Sequence, residues 1–142
     1  MKTVYLDNAA TTALRPEVIE RMTQVLKDNY GNASSTHSFG RSSKSLLEQC
    51  RKNIANYFKV TAAEIVFTSG GTEADNLALR SAVRDLGVTE IITSNIEHHA
   101  VLHTAEQLQK EYNITIRYVD LDDCGLINYE HLENLLDVII SV

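Results

Sequence analysis

The sequence predicts an α/β fold with a mostly parallel sheet and helices on both faces, and three observations predict it. Strand-type and helix-type runs alternate from residue 65 onward. Small residues and glycines stand where a predicted strand turns into a predicted helix. The chain has 142 residues, 44% of them hydrophobic, which is enough to bury a core. Alternation of this kind is typical of parallel sheets connected by right-handed crossovers.

The part of the chain before residue 65 is predicted to be an arm, residues 1–15, followed by two helices. Pro16 suits the first turn of a helix, and a second helix follows to about Tyr57. The polar stretch "YGNASSTHSFG", 30–40, separates them, and "TAAE", 61–64, reads as a short capped turn. The apolar residues that recur at helical spacing in the two helices are Val18, Ile19, Met22, Val25, Leu26, Leu46, Leu47, Cys50 and Ile54.

From residue 65 strands and helices are predicted in alternation, with no repeat and no internal domain boundary, so residues 16–142 are expected to form one large domain. "DVIISV", 137–142, is predicted to open a further strand, and the chain is therefore expected to be a truncated domain. The predicted strands are Ile65–Thr68, Glu90–Ser94 and Ile114–Val119, and the predicted helices run from about Glu73 to Leu86 (ended by Gly87), His98 to Tyr112 and Tyr129 to Leu136.

Composition excludes several classes of function. The net charge of −6 offers no basic surface for nucleic acid and no polybasic membrane patch. Neither a signal peptide nor an apolar run of about 20 residues is present. Cys50 and Cys124 lack C-x-x-C spacing, so the two cysteines indicate neither a disulfide scaffold nor a zinc ribbon. We expect a soluble, cytoplasmic protein that binds neither nucleic acid nor membrane.

The stretch "SGGTE", 69–73, joins a predicted strand to a predicted helix. Gly70 and Gly71 allow a ligand to approach the backbone closely, Thr72 adds a hydroxyl, and the helix N-terminus offers free N–H groups. On spacing alone, a tight turn and an anion site explain it equally well. In a parallel sheet this loop and "NIEHHA", 95–100, lie on the same edge, where α/β proteins bind ligands.

Three histidines lie in "NIEHHAVLH", 95–103. A histidine at the start of a helix on the ligand edge could stack on a cofactor ring, or it could simply cap the helix. His99 and His103 are four residues apart, as in some metal sites. No third ligand is evident, so no metal site is predicted.

Other polar residues and the cysteines give weaker signals. Asn32, Ser35 and His37 in the stretch 30–40 could bind a ligand or belong to a surface loop. Cys50 is predicted to lie in the core, because it falls on the apolar face of its helix. Cys124 in "DDCG" has no adjacent base, and neither cysteine is expected to be catalytic.

Four stretches in this order resemble the amino-terminal part of cysteine desulfurases: "VYLDNAATT", "YGNASSTHSFG", "IVFTSGGTEADNLAL" and "EHHAVL". These enzymes belong to the class V aminotransferase family of fold-type I enzymes, which use pyridoxal 5'-phosphate (PLP). The resemblance covers nearly all of the chain. It implies that residues 16–142 are the amino-terminal part of the PLP-binding large domain.

The resemblance also implies roles for particular residues. Gly71 and Thr72 would hold the PLP phosphate. His98, which directly follows Glu97, matches the family histidine that stacks on the pyridine ring and assists proton transfer. Segments near the substrate entrance would contribute Asn8, Ala9, Asn32, Ser35 and His37.

The reaction implied is removal of sulfur from L-cysteine, which yields L-alanine and a persulfide on an enzyme cysteine. The family enzyme is a homodimer that passes sulfur to an acceptor protein for iron–sulfur cluster or thiolated-RNA synthesis. Its Schiff-base lysine, its aspartate facing the ring nitrogen and its nucleophilic cysteine lie beyond the equivalent of Val142, so the chain alone is expected to be inactive. Alternatives are another class V enzyme (a selenocysteine lyase or an aminotransferase) and a non-catalytic phosphate-binding or dimerisation module.

Overall fold

A computed structural model describes residues 3–140 of the chain, and its side chains up to residue 137. The chain divides into two compact units, Met1–Val66 and Phe67–Val142. The predicted division, into an arm, 1–15, and a large domain, 16–142, places its boundary elsewhere and stays a prediction. Among residues 3–140, no helix is long and apolar enough to cross a membrane.

The first unit contains helices α1 (Pro16–Asp28) and α2 (Ser38–Phe58). Helix α1 begins with its proline at the first position, as predicted, and none of its residues is buried. Helix α2 is capped by His37, whose Nδ1 accepts a hydrogen bond from the Gly40 N–H at 3.4 Å. Gly40 has to be glycine, because a Cβ there would lie 2.3 Å from the Ser35 carbonyl oxygen. The polar stretch 30–40 is therefore folded tightly against the start of α2.

Cys50 lies on α2 with an exposed side chain, so its predicted place in the core is wrong. The reason is that α2 buries very little of itself. Its buried residues are Gly40, Ser43 and Ala55, and amphipathic spacing alone does not say how much of an apolar face is covered.

The capped turn predicted at 61–64 is confirmed as a 3-10 turn, Ala62–Glu64. The Glu64 carboxylate accepts hydrogen bonds from the N–H and the hydroxyl of Thr61, both at 2.7 Å. These bonds lower the pKa of Glu64, the bond from the Thr61 hydroxyl most of all.

The strand predicted at Ile65–Thr68 is wrong. Ile65 has extended backbone angles, φ −99° and ψ 118°, but residues 65–68 pair with no strand among the described residues. A strand needs a neighbour to accept and donate its ladder hydrogen bonds. Here the Ile65 carbonyl accepts a hydrogen bond from the Arg51 guanidinium instead.

The second unit contains a parallel pair of strands, β1 (Glu90–Thr93) and β2 (Thr115–Tyr118), with Glu90 opposite Thr115 and Thr93 opposite Tyr118. Helix α3 (Gly71–Leu86) precedes β1, and α4 (His99–Tyr112) connects the strands. Both helices and both strands lie within two residues of their predicted bounds. The α/β class with a parallel sheet is confirmed.

The core of this unit lies where α3 and α4 pack beside the strands. Leu108 on α4 is fully buried, and the cluster around it consists of Val83, Ile91, Ala105, Leu108 and Ile114. A polar contact reinforces this packing at the surface, since Arg80 of α3 donates to Gln107 at 2.6 Å and to Glu111 at 3.3 Å on α4. The two helices are thereby held side by side.

Helix α5 (Tyr129–Ile140) occupies part of the segment 137–142 that was predicted to open a strand. That prediction is wrong for residues 137–140, and residues 141–142 lie outside the described part. A short apolar run has no period that separates helix from strand. The helix is already started upstream, where the Asn128 side chain accepts from the His131 N–H at 3.0 Å, and adding residues to an existing helix is far easier than nucleating one.

Replacing Leu108 with alanine is expected to lower the free energy of unfolding by about 2–5 kcal/mol, because the change leaves a cavity in the fully buried core. Urea denaturation followed by circular dichroism measures it. The matched control is Gln109→Ala on the exposed side of the same helix, which should change stability by less than about 0.5 kcal/mol. Equal effects of the two substitutions would show that this core does not stabilise the unit.

Candidate cofactor-binding site

Helix α3 starts with unoccupied N–H groups. Its first intrahelical hydrogen bond runs from the Ala74 N–H to the Gly70 carbonyl at 3.1 Å. The N–H groups of Gly71, Thr72 and Glu73 therefore have no intrahelical acceptor, and the N-cap residue Gly70 supplies no side-chain cap. Free N–H groups at the positive end of a helix are a favourable place for an anion.

Within the described residues, no close contact and no left-handed backbone angle requires glycine at the two glycine positions of this turn. Gly70 has φ 167° and ψ 179°, an extended conformation that any residue adopts. A Cβ added at Gly70 or Gly71 would meet no atom within 4 Å. Neither backbone angles nor internal crowding explains the pair, whereas a bare backbone leaves room for a bound group to reach the helix N–H groups.

Glu73 holds the loop that precedes the helix. Its carboxylate accepts a hydrogen bond from the Ser69 N–H at 2.6 Å, and this bond lowers the pKa of Glu73. The Thr68 hydroxyl donates to the Gly70 carbonyl at 3.2 Å. The acidic side chain in the first turn of α3 is thus hydrogen-bonded to the loop backbone.

His98 lies at the start of α4 as its N-cap residue. Its Nδ1 accepts a hydrogen bond from the Ala100 N–H at 3.1 Å. Since Nδ1 is the acceptor, the neutral ring carries its proton on Nε2. The cap therefore fixes the ring while it leaves Nε2 available for another partner.

Thr72 and His98 line the same groove, which has a volume of about 340 Å³. The other residues that line it are Asn76, His99, Ala100, His103, Thr104 and Gln107. Two of the three residues predicted to bind the cofactor are thus brought together, and Gly71 directly precedes Thr72 in the chain. The helix that follows β1 and the helix that precedes it supply the two sides of this groove.

The residues predicted near a substrate entrance all lie in the first unit. Asn8 and Ala9 are in an exposed turn of the arm. Asn32 accepts from the Ser34 N–H at 2.9 Å, and His37 caps α2. Ser35 adds its backbone N–H to the same loop by donating to the Asn32 carbonyl. These local contacts leave their role in substrate binding as a prediction.

Sequence reasoning missed three polar residues of the second unit. Asn76 lines the groove and donates to the Thr72 carbonyl at 2.9 Å, and its position four residues after Thr72 was the available signal. Gln107 lines the groove further along α4. Ser94 follows β1 and is 2% exposed, and its hydroxyl has no hydrogen-bond partner in the described part of the chain. A serine directly after a strand was its signal.

No group of three or more histidine, cysteine, aspartate or glutamate side chains within residues 3–137 is arranged to hold a metal ion.

Comparison with known proteins establishes the family. The chain matches the family described as Aminotransferase class-V over residues 4–141, and it belongs to that family. The fold agrees, because a NifS-like protein of known structure superposes with a TM-score of 0.80 at 35% identity, over 90% of this chain and 35% of the other. The predicted family is confirmed.

Relatives within this family are cysteine desulfurases. The chain is 43% identical over 138 residues to the cysteine desulfurase IscS of Methanosarcina thermophila, an alignment that covers 95% of this chain and 34% of the relative. The solved structure of SspA in complex with cysteine matches with a TM-score of 0.80 and 31% identity, over 93% of this chain and 38% of that one. The chain thus spans about a third of the length of the proteins it matches.

The NMR chemical shift of the Ser69 amide is expected to follow the protonation of Glu73 as the pH is lowered. Because the hydrogen bond lowers the pKa of Glu73 in the folded chain, its contribution to loop stability is complete above the ordinary pKa of glutamate and is lost as the pH falls through the lowered value. Two-dimensional ¹H–¹⁵N NMR of the Ser69 amide measures the midpoint. Glu73→Gln should abolish this titration, and a midpoint at or above the ordinary value would contradict the contact.

Proposed function

We propose that this chain supplies the phosphate-binding and ring-stacking part of a PLP-dependent cysteine desulfurase. The reaction converts L-cysteine to L-alanine and transfers the sulfur as a persulfide. The observation that carries the proposal is the shared groove of Thr72 and His98. Membership of the class V family and the similarity to relatives named cysteine desulfurase support it.

The start of α3 fits a phosphate group. Gly71 and Thr72 would bind it through their N–H groups and the Thr72 hydroxyl, and the open space at the two glycines lets the phosphate oxygens approach. The Glu73 carboxylate accepts the Ser69 N–H, which holds the loop in place beside the bound anion. The cofactor, when bound, supplies the electron sink for the bonds that break in the amino acid.

His98 would contact the ring of the cofactor from the other side of the groove. Its hydrogen bond to the Ala100 N–H limits rotation of the imidazole, so the ring is orientated before a ligand arrives. Nε2 is the atom that would exchange a proton with a bound ligand. The same side chain thus caps α4 and completes the site.

The rest of the reaction requires groups that the groove does not contain. Among the described residues that line it, none is a lysine that could anchor the cofactor covalently or a cysteine that could take up sulfur. Both cysteines, Cys50 and Cys124, are exposed elsewhere. We therefore propose that these groups belong to the remaining two thirds of a protein as long as its relatives. That whole protein would be a cytoplasmic homodimer that passes sulfur to an acceptor protein for iron–sulfur cluster or thiolated-RNA synthesis.

Thr72→Ala is expected to weaken binding of pyridoxine 5'-phosphate by about tenfold or more, because a hydrogen bond to a charged group contributes about 1.5–3 kcal/mol. This probe has the ring and the phosphate but no aldehyde that could react with surface lysines. Isothermal titration calorimetry on the 142-residue chain measures the affinity. Thr72→Ser keeps the hydroxyl and should bind as the unaltered chain does; unchanged affinity in Thr72→Ala would refute the phosphate assignment.

His98→Asn separates the two roles of His98. Asparagine is a good N-cap residue, so helix α4 should remain capped while the aromatic ring is lost. Pyridoxine 5'-phosphate should then bind more weakly, and inorganic phosphate should bind unchanged. Equal weakening of both probes would mean that His98 acts on the phosphate site rather than on the ring.

The 142-residue chain supplied with PLP, L-cysteine and a thiol reductant is expected to release no sulfide, because no described residue that lines its groove is a lysine or a cysteine. A methylene-blue sulfide assay checks this, with a full-length cysteine desulfurase as the positive control. Sulfide production above that of free PLP would overturn the proposed division of the site.

A further inference from the structure

A pair of histidines lies on the first turns of α4 beside the proposed cofactor site. His99 and His103 are one helical turn apart, and their ring centroids are 5.1 Å apart with the planes inclined by 25°. Both side chains are exposed, and both line the groove. The proposed function gives neither of them a role.

Within the described residues, no group forms a hydrogen bond with the ring nitrogens of His99 or His103. Every other histidine there accepts one through Nδ1: His37 from Gly40, His98 from Ala100, and His131 from Asp120. The ring nitrogens of the pair are therefore free to take a ligand from solvent.

The spacing of the rings suits a shared metal ion. Metal–imidazole bonds are about 2.0–2.1 Å long, so two imidazoles on one ion have their ring centroids about 4.5–5.5 Å apart. The observed separation is 5.1 Å, with the rings stacked and their planes inclined by 25°. Each ring would therefore have to turn about its side-chain torsions to direct a nitrogen at a common point, and no hydrogen bond within the described residues restrains either ring.

We propose that His99 and His103 chelate one divalent late transition-metal ion on the wall of the groove. Imidazole nitrogens select copper, nickel and zinc over magnesium and calcium, and copper(II) binds most tightly in this series. Water fills the remaining positions. The proposal does not rest on the proposed enzymatic function, because neither ligand belongs to the cofactor-binding set, although a bound ion and a bound cofactor would share the groove.

Two neighbouring side chains complete the groove without adding a protein ligand. Gln107 is four residues after His103, but its amide is held by Arg80 and Glu111. His98 uses Nδ1 to cap the helix and keeps Nε2 available, but among residues 3–137 it does not join His99 and His103 in a three-residue group that could hold a metal ion. The site therefore has two protein ligands.

The test is a calorimetric titration of the 142-residue chain with copper(II) and with nickel(II). Cys50→Ser/Cys124→Ser serves as the background, because both thiols are exposed and would bind these ions themselves. The background chain should bind one ion, and His99→Ala and His103→Ala should each lower the affinity by at least tenfold. Unchanged affinity in either variant would overturn the site.

The matched control moves one histidine along the same helix. In His103→Ala/Glu106→His the number of histidines is unchanged, but the pair is seven residues and about 10.5 Å apart, too far to share an ion. It should bind as weakly as His103→Ala, and binding as tight as in the background would refute chelation by the pair. Circular dichroism checks the helix content of each variant, and His99→Gln and His103→Gln replace any alanine variant that loses it.

Discussion

The packing of α3 against α4 is the interaction on which the rest of the second unit depends. Leu108 is fully buried at its centre, and Arg80 bonds α4 across the surface of the same contact. Because helices are stiff, fixing their middles also fixes their ends. The N-termini of both helices consequently lie on one groove, and it is these ends that provide free N–H groups, a hydroxyl and an imidazole. A loss of core packing would therefore be expected to disturb the relative placement of Thr72 and His98.

The starts of α3 and α4 both have backbone N–H groups without an intrahelical acceptor, and they differ in whether a side chain caps these groups. Helix α4 satisfies part of its first turn internally, through the imidazole of His98. Helix α3 has two glycines where a capping side chain could stand, and its first N–H groups are unpaired in the part of the chain that the structure describes. An uncapped helix start is a cost to stability. In the proposed site that cost is offset when an anion binds, so the stability of the loop and the affinity for a phosphorylated ligand are linked.

Family membership and the geometry of the groove support the proposal in different ways. The family assignment covers residues 4–141 and comes from the sequence as a whole. The groove is evidence that does not depend on the comparison with relatives, because its geometry follows from where α3 and α4 begin. Neither one includes the lysine or the cysteine that the proposed reaction requires. The chain spans about a third of the length of the relatives it matches, and the proposed site would accordingly be one part of an active site.

Local sequence determined a large part of this protein. Helical spacing, the proline at 16 and the glycine at 87 set the bounds of the helices, and "TAAE" encoded its own capped turn, because these signals act within one or two turns of backbone. Tertiary structure decided the rest. Residues 65–68 do not pair as a strand, residues 137–140 continue a helix, and Cys50 is exposed, since each outcome depends on which partner lies alongside. The placement of Thr72 and His98 on one groove also depends on tertiary structure. The sequence indicated both residues as candidates, but only the packing of two helices over a buried leucine placed them on the same groove.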